Sequence, residues 1–471
     1  MASRTTLSGR SFKKYGILIV AAIVAAMQVQ AVSAADYYWM GSTGTGGTGS
    51  FADAYWSLDG TGTPGGWSGT SGSGHVAVFD KSPGATVTAY GQQNPWYIGG
   101  IKFLADYTLG TGNRGVISIT TGDGSPLNVT LGTGITGRID PYIRNTTGGL
   151  NVTGKGTLIL VDSANAFTGD VYLMEGATLH IGDNSASGLA ASPGILGGAK
   201  NVYIGTGSTF STGGGAWNGT FTITLTQNFV LGTDGSDDGA SGNTTIKNIP
   251  HPNGLRTLVY SGIIKDSLRT DGFADSLTFN AGTNAPIILT GKNTYTGNTI
   301  IESGTLKLQG EGSIENSAKI TINSGTTLDV IDAHFQMFGG HILTGPGSGT
   351  NGNILGDVYM LPGSTLDRTR LTISGDILFD LTDAASNLAF RDDPYTFAFS
   401  HVGGSFNFGT DFSNVLLPNG IDIVEGTFDA IQTGSIVSVS FKVRGSESVP
   451  EPASLALLGL GAMGLLARRR R

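Results

Sequence analysis

Two segments of this chain follow one plan so closely that they must fold alike. The first reads GTLILVDSANAFTGDVYLMEGATLHIG and the second APIILTGKNTYTGNTIIESGTLKLQG. Each is an apolar run, a few polar residues, an Asn-x-aromatic-Thr-Gly pentapeptide, an alternating run, a glycine and a second alternating run. The pentapeptides are Asn165–Gly169 and Asn293–Gly297, and the next glycine, Gly176 or Gly304, lies seven residues on in both. A third partial copy, GDVYMLPGSTLD from Gly356 to Asp367, keeps that gap, and NVYIGTGSTFS and ITINSGTTLDV echo the strand–glycine–strand core. Alternation with a period of two over about four to six residues specifies strands. A single turn of this kind cannot bury its own apolar face, so successive turns must stack on one another. The plan therefore predicts an all-β solenoid.

In such a solenoid the pentapeptide builds a corner. Asn165, Gly169, Asn293 and Gly297 are residues that tolerate a left-handed backbone, and an Asn side chain can bond neighbouring backbone amides. Phe167 and Tyr295 are expected to stack or pack at equivalent corners. The competing reading of the pentapeptide is a ligand-binding loop.

The stretch Ile287 to Leu308, IILTGKNTYTGNTIIESGTLKL, closely resembles the autotransporter-associated β-strand repeat. The copy from Leu158 to Ile181 resembles it more loosely, with one extra residue before Asn165 and another after Gly176. GHVAVFDKSPGATVTA with GGIKFLADYTLGTG is similar to the opening of such solenoids, and LVYSGIIKD to a preceding rung. The resemblance implies a right-handed parallel β-helix of passenger type. It does not extend to the end of the chain, where an autotransporter has a membrane barrel and this chain has a short apolar run and arginines. Self-translocation is therefore not carried over.

Composition agrees with this class. Glycine accounts for 76 of 471 residues, about twice the usual share of ~7%. Among runs of Val, Ile, Leu and Thr that excess means many turns between many short strands. Charged residues are only 13%, too few for solvated helix faces. Cysteine is absent, which removes disulfides, thiol nucleophiles, Cys-ligated zinc and iron–sulfur centres; a chain of this length can form a core without disulfides. The formal net charge is −8, and the excess deepens once the basic ends are set aside, so nucleic acid and anionic membrane surfaces are repelled.

Both ends read as address labels. Arg4, Arg10, Lys13 and Lys14 precede the apolar run Tyr15 to Met27, and small residues follow, with Val32 and Ala34 at the −3 and −1 positions of a cleavage site. This predicts a secretory signal peptide cut between Ala34 and Ala35; the run is short for a retained membrane span. At the other end come Val449, Pro450, Glu451 and Pro452, an apolar stretch from Ala453 to Ala467, and Arg468, Arg469, Arg470 and Arg471. As a helix that stretch reaches about 22 Å at ~1.5 Å per residue. Snorkelling arginines extend it toward the roughly 30 Å hydrocarbon core. The positive-inside rule places the arginines in the cytoplasm and the body outside. The prolines hold the preceding segment extended beside the membrane. The tail resembles the PEP-CTERM sorting signal of Gram-negative bacteria. That resemblance implies recognition by an exosortase, transient inner-membrane anchoring, removal of the tail, and delivery to the cell surface or into extracellular polysaccharide. A plain C-terminal membrane anchor is the competing reading.

The expected organisation is a signal peptide (1–34), an aromatic-rich N-terminal cap (35–100), a solenoid (101–384), a C-terminal β segment or cap (385–446) and the sorting signal (447–471). Trp39, Trp56, Trp67 and Trp96 lie near Tyr37, Tyr38, Tyr55 and Tyr97, either as a plug over the first rung or as platforms for sugar rings. Asp234, Asp237 and Asp238 share a glycine-rich loop that is either a solvated surface or a Ca²⁺ site. His75, His180, His251, His334, His341 and His401 have no metal-binding spacing, so no metal site and no cofactor are assigned. Asp392 and Asp393 are adjacent and point to opposite faces of a strand, and no carboxylates recur between rungs to line a catalytic groove. No catalytic residue is assigned. The expected function is a structural or adhesive surface or matrix protein associated with exopolysaccharide or biofilm. The alternatives are a polysaccharide lyase or hydrolase, and a glycan- or Ca²⁺-binding surface module.

Overall fold

The computed structural model describes residues 34–445, apart from internal stretches of which the longer are 89–95, 111–117, 184–191, 214–219, 233–241, 269–273, 345–351, 381–394, 401–414 and 424–428. The signal peptide except Ala34, the sorting tail, the Asp234/Asp237/Asp238 loop, Asp392, Asp393, His334 and His401 lie outside the described residues. The described chain is all-β with parallel sheets, and its one helical turn is the 3-10 segment Pro193–Leu196. It divides into two compact units, one ending at Gly182 and taking in Gly194–Lys200, the other holding Asp183–Pro193 and Asn201 onward.

In the first unit the chain returns to the same places turn after turn. Asp36–Trp39, Val76–Phe79, Gly100–Phe103, Leu127–Leu131, Leu150–Gly154 and Val171–Leu173 pair in parallel, each on the next. A second array runs from Gly49–Ser50 through Tyr107–Gly110 and Thr136–Ile139 to Thr178–Ile181. A third, shorter array joins Trp96–Tyr97, Ser118–Thr120 and Tyr142–Ile143. This is the pairing of a β-solenoid, in which each turn supplies one strand to each face. The register places Ile101, Val129, Val152 and Leu173 in one buried column. Parallel stacking includes Asp36–Trp39 and Val76–Phe79, so stacked strands run through the aromatic-rich stretch as well. There Trp39, Phe51 and Trp56 are fully buried. Phe51 stacks on Trp96 at 4.0 Å and meets Trp56 at 4.6 Å.

The second unit repeats the scheme. Ile223, Leu258, Ile287, Leu306, Leu328 and Ile354 fall opposite one another in six consecutive parallel strands, and all are buried. Each such side chain contributes about 1.5–3 kcal/mol by leaving water. A second array continues from Thr209–Thr212 through Ser276–Ala281 and Thr299–Ser303 to Tyr395–Ser400. Beyond it the pattern changes. Tyr395–Ser400 pairs antiparallel with Ile436–Phe441, which also takes Asp429–Thr433, and Ile421–Ile423 pairs antiparallel with Val443–Gly445.

The recurrent strand–glycine–strand step has one backbone cause. Gly176, Gly207, Gly304 and Gly325 all lie in the left-handed region, with φ between 68° and 86°. That lets the chain turn within a few residues without the clash a Cβ would bring.

Candidate functional site

The pentapeptides are where the structure spends its most specific side chains. Asn165 is 8% exposed and Asn293 2%. Asn165 Oδ1 accepts the Ile143 backbone N–H at 2.7 Å, and its Nδ2 donates to the Ile195 carbonyl at 2.7 Å. Asn293 repeats both bonds, Oδ1 accepting from Ile264 N–H at 2.8 Å and Nδ2 donating to the Ser313 carbonyl at 2.9 Å. Each amide thus joins a residue earlier in the chain to one later, across the corner between. Backbone groups that no strand partners are satisfied in this way, which a buried corner requires.

The glycines act differently from expectation. None of Asn165, Gly169, Asn293 and Gly297 has a left-handed backbone. A Cβ on Gly169 would sit 2.3 Å from the Thr147 carbonyl oxygen, and one on Gly297 would sit 1.9 Å from that of Asp275. These glycines let two stretches of backbone touch. The left-handed positions are instead at the turn beyond, where Glu175 (φ 60°) and Gly176 (φ 86°) adopt it in the first copy and Gly304 (φ 68°) in the second.

The aromatic residues of the pentapeptides pack into the core. Phe167 is 0% exposed and Tyr295 1%. The Tyr295 hydroxyl bonds Thr299 Oγ1 at 2.5 Å, and Thr299 Oγ1 bonds Ser317 Oγ at 2.6 Å. Burial pushes the Tyr295 phenol up to about 12, against the opposing effect of the hydrogen bonds to Thr299 and Ser317. Counting from the clamping Asn and its carbonyl partner, the first copy has Phe167, Val171 and Ala199 where the second has Tyr295, Thr299 and Ser317. The three hydroxyls are present together in one copy and absent together in the other. A lone buried hydroxyl would cost the desolvation of an unpaired polar group, so the set changes as a whole. Sequence reasoning missed Thr299 and Ser317; the signal was the Val171-to-Thr299 change accompanying Phe167-to-Tyr295.

On the outward faces, like residues bond to like. Asn151 Nδ2 donates to Asn128 Oδ1 at 2.9 Å, the hydroxyls of Thr130 and Thr153 lie 3.2 Å apart, and Asn228 Nδ2 donates to Asn201 Oδ1 at 3.4 Å. Lys307 reaches Asp332 at 2.5 Å and Asp329 at 3.6 Å. The hydrogen bond that Lys307 donates to the Asp332 carboxylate raises its ammonium above the usual value. His75, His180 and His251 are buried and well separated in the chain, and His341 begins a strand of the second unit. Among the described residues no three His, Asp or Glu side chains gather as a metal site, and no helix is long and apolar enough to cross a membrane.

The remaining sequence-predicted residues, Val449 to Pro452 and Arg468 to Arg471, follow the last described strand, Val443–Gly445. Residues 448–471 match the PEP-CTERM protein-sorting motif. The chain carries a PEP-CTERM sorting motif. The motif marks an exported protein that an exosortase processes at the membrane. No curated protein and no solved structure matches the chain.

Proposed function

We propose that this is a structural or adhesive protein of the bacterial surface or extracellular matrix, held in association with exopolysaccharide after an exosortase removes its tail. The body is a right-handed parallel β-helix of autotransporter-passenger type, delivered by its signal peptide and anchored only briefly by its C-terminal helix. The observation that carries this reading is the PEP-CTERM motif on a chain of stacked parallel strands. The use of the recurrent residues supports a structural role. Asn165, Asn293, Gly169 and Gly297 hold one turn of backbone to the next, and the Asn and Thr side chains outside bond to their own kind along the stack. A surface rich in uncharged hydrogen-bonding groups suits the hydroxyls of a polysaccharide. The work is binding rather than catalysis.

Fractionating a producing culture tests the proposal. The chain should sediment with the extracellular polysaccharide and be released when that polysaccharide is depolymerised. Recovery of the chain free in the supernatant, or the appearance of new reducing ends when purified chain meets the polysaccharide, would overturn it.

A further inference from the structure

The start of the first strand holds a contact that the corners and the sorting tail do not use. The Ala35 backbone nitrogen donates to Nδ1 of His75 at 3.2 Å. His75 is only 7% exposed. Its ring meets Tyr37 edge-on at 5.0 Å and Trp67 at 6.4 Å, and its carbonyl accepts the Gly99 N–H at 2.8 Å. The Ala35 carbonyl in turn accepts the Val76 N–H at 3.0 Å, and the next residue, Asp36, is paired with Lys102 at 2.6 Å. Ala35 is therefore held on its nitrogen, on its carbonyl and through its neighbour, while Ala34 is exposed. With the predicted cut between Ala34 and Ala35, the last residue of the leader is open to solvent and the first residue of the mature chain is already seated.

We propose that His75 is the seat of the α-amino group that signal-peptide removal creates at Ala35. This rests on the reading that cleavage falls between Ala34 and Ala35. Hydrolysis of that peptide bond leaves a carboxylate on Ala34 and an amine on Ala35, and the amine takes a proton near neutral pH. A neutral amide donor to the imidazole becomes an ammonium donor. Hydrogen bonds with an ionised partner are roughly twice as strong as neutral ones, so processing tightens the first strand against the second. The charged groups nearest along these strands, Asp36 and Lys102, neutralise one another and leave Nδ1 as the partner for the new charge.

The test is the reactivity of the amino terminus. Chains starting at Ala35 and at Ser33, otherwise identical, are acylated at the α-amine and followed by mass spectrometry. The seated amine should react about tenfold more slowly, the ratio that ~1.4 kcal/mol of protection gives. His75→Phe should bring the Ala35 chain to the Ser33 rate, and His75→Gln, which keeps an acceptor, should restore slow reaction. Equal rates for the two starts, or a slow rate that survives His75→Phe, would overturn the seat. If His75→Phe gives no cooperative melt, the two starts and His75→Gln still decide. Sequencing the secreted chain separates the two claims: a first residue other than Ala35 refutes the cleavage reading, while the acylation rates still judge the seat.

Discussion

Replacing Asn293 with alanine removes the amide that joins Ile264 to Ser313. Both partners are backbone groups at a corner where Asn293 is only 2% exposed, so water does not readily take its place. A buried group left unpaired costs about 1–3 kcal/mol, and two are left here, for a total on the order of 3 kcal/mol or more. Solenoids lose stability locally because each turn touches only its neighbours, so the loss should appear at the corner before it appears in a global melt. Native-state hydrogen exchange reads it directly. Protection of the Ile264 amide should fall about 100-fold, the equivalent of ~2.8 kcal/mol. Asn293→Asp keeps the acceptor and should hold Ile264 within about tenfold of wild type, while the Ser313 carbonyl loses its donor. The amide of Val129, in the first unit, should be unaffected. Full protection of Ile264 in Asn293→Ala, or an equal loss at Val129, would refute the clamp.

The hydroxyl set gives two further predictions. The Tyr295 phenol is raised by burial to about 12 against ~10 in the unfolded chain. Its contribution is complete below pH ~10 and is lost as pH rises through the folded value, up to about 2.7 kcal/mol. Urea midpoints measured from pH 9 to 12 should therefore fall more steeply for wild type than for Tyr295→Phe, and parallel curves would exclude the assignment. Conversely, Phe167→Tyr puts a hydroxyl where the first copy has Val171 and Ala199, and should cost about 1–3 kcal/mol by chemical denaturation. Adding Val171→Thr and Ala199→Ser should recover part of that loss, and no recovery would mean that the two corners are not equivalent.

The sequence carried the position of the corners but not their mechanism. Spacing showed that Asn165 and Asn293 punctuate the same step, because a stacked fold repeats its chemistry at a fixed offset. It did not show that Ile143 and Ile195 are the groups that Asn165 joins, since those contacts depend on where the other turns pass. For the same reason spacing alone suggests a left-handed backbone at Gly169 and Gly297, which neither adopts. Their real constraint is the backbone of Thr147 or Asp275, which comes from earlier in the chain. The aromatic-rich start was legible as a hydrophobic cluster, yet nothing in its composition marked His75 as the partner of Ala35. The sorting tail was fully legible because its parts are contiguous: a proline pair, an apolar run and arginines need no fold to be recognised.

The measurement that bears most directly on the account is the intact mass of the mature chain from its host, beside a variant with Pro450 and Pro452 both replaced by alanine. An exported, exosortase-sorted protein should lack both the leader and the residues beyond the motif, while the variant should keep its tail and stay with the inner membrane. A full-length C-terminus in both proteins would contradict sorting and leave the tail as a permanent anchor.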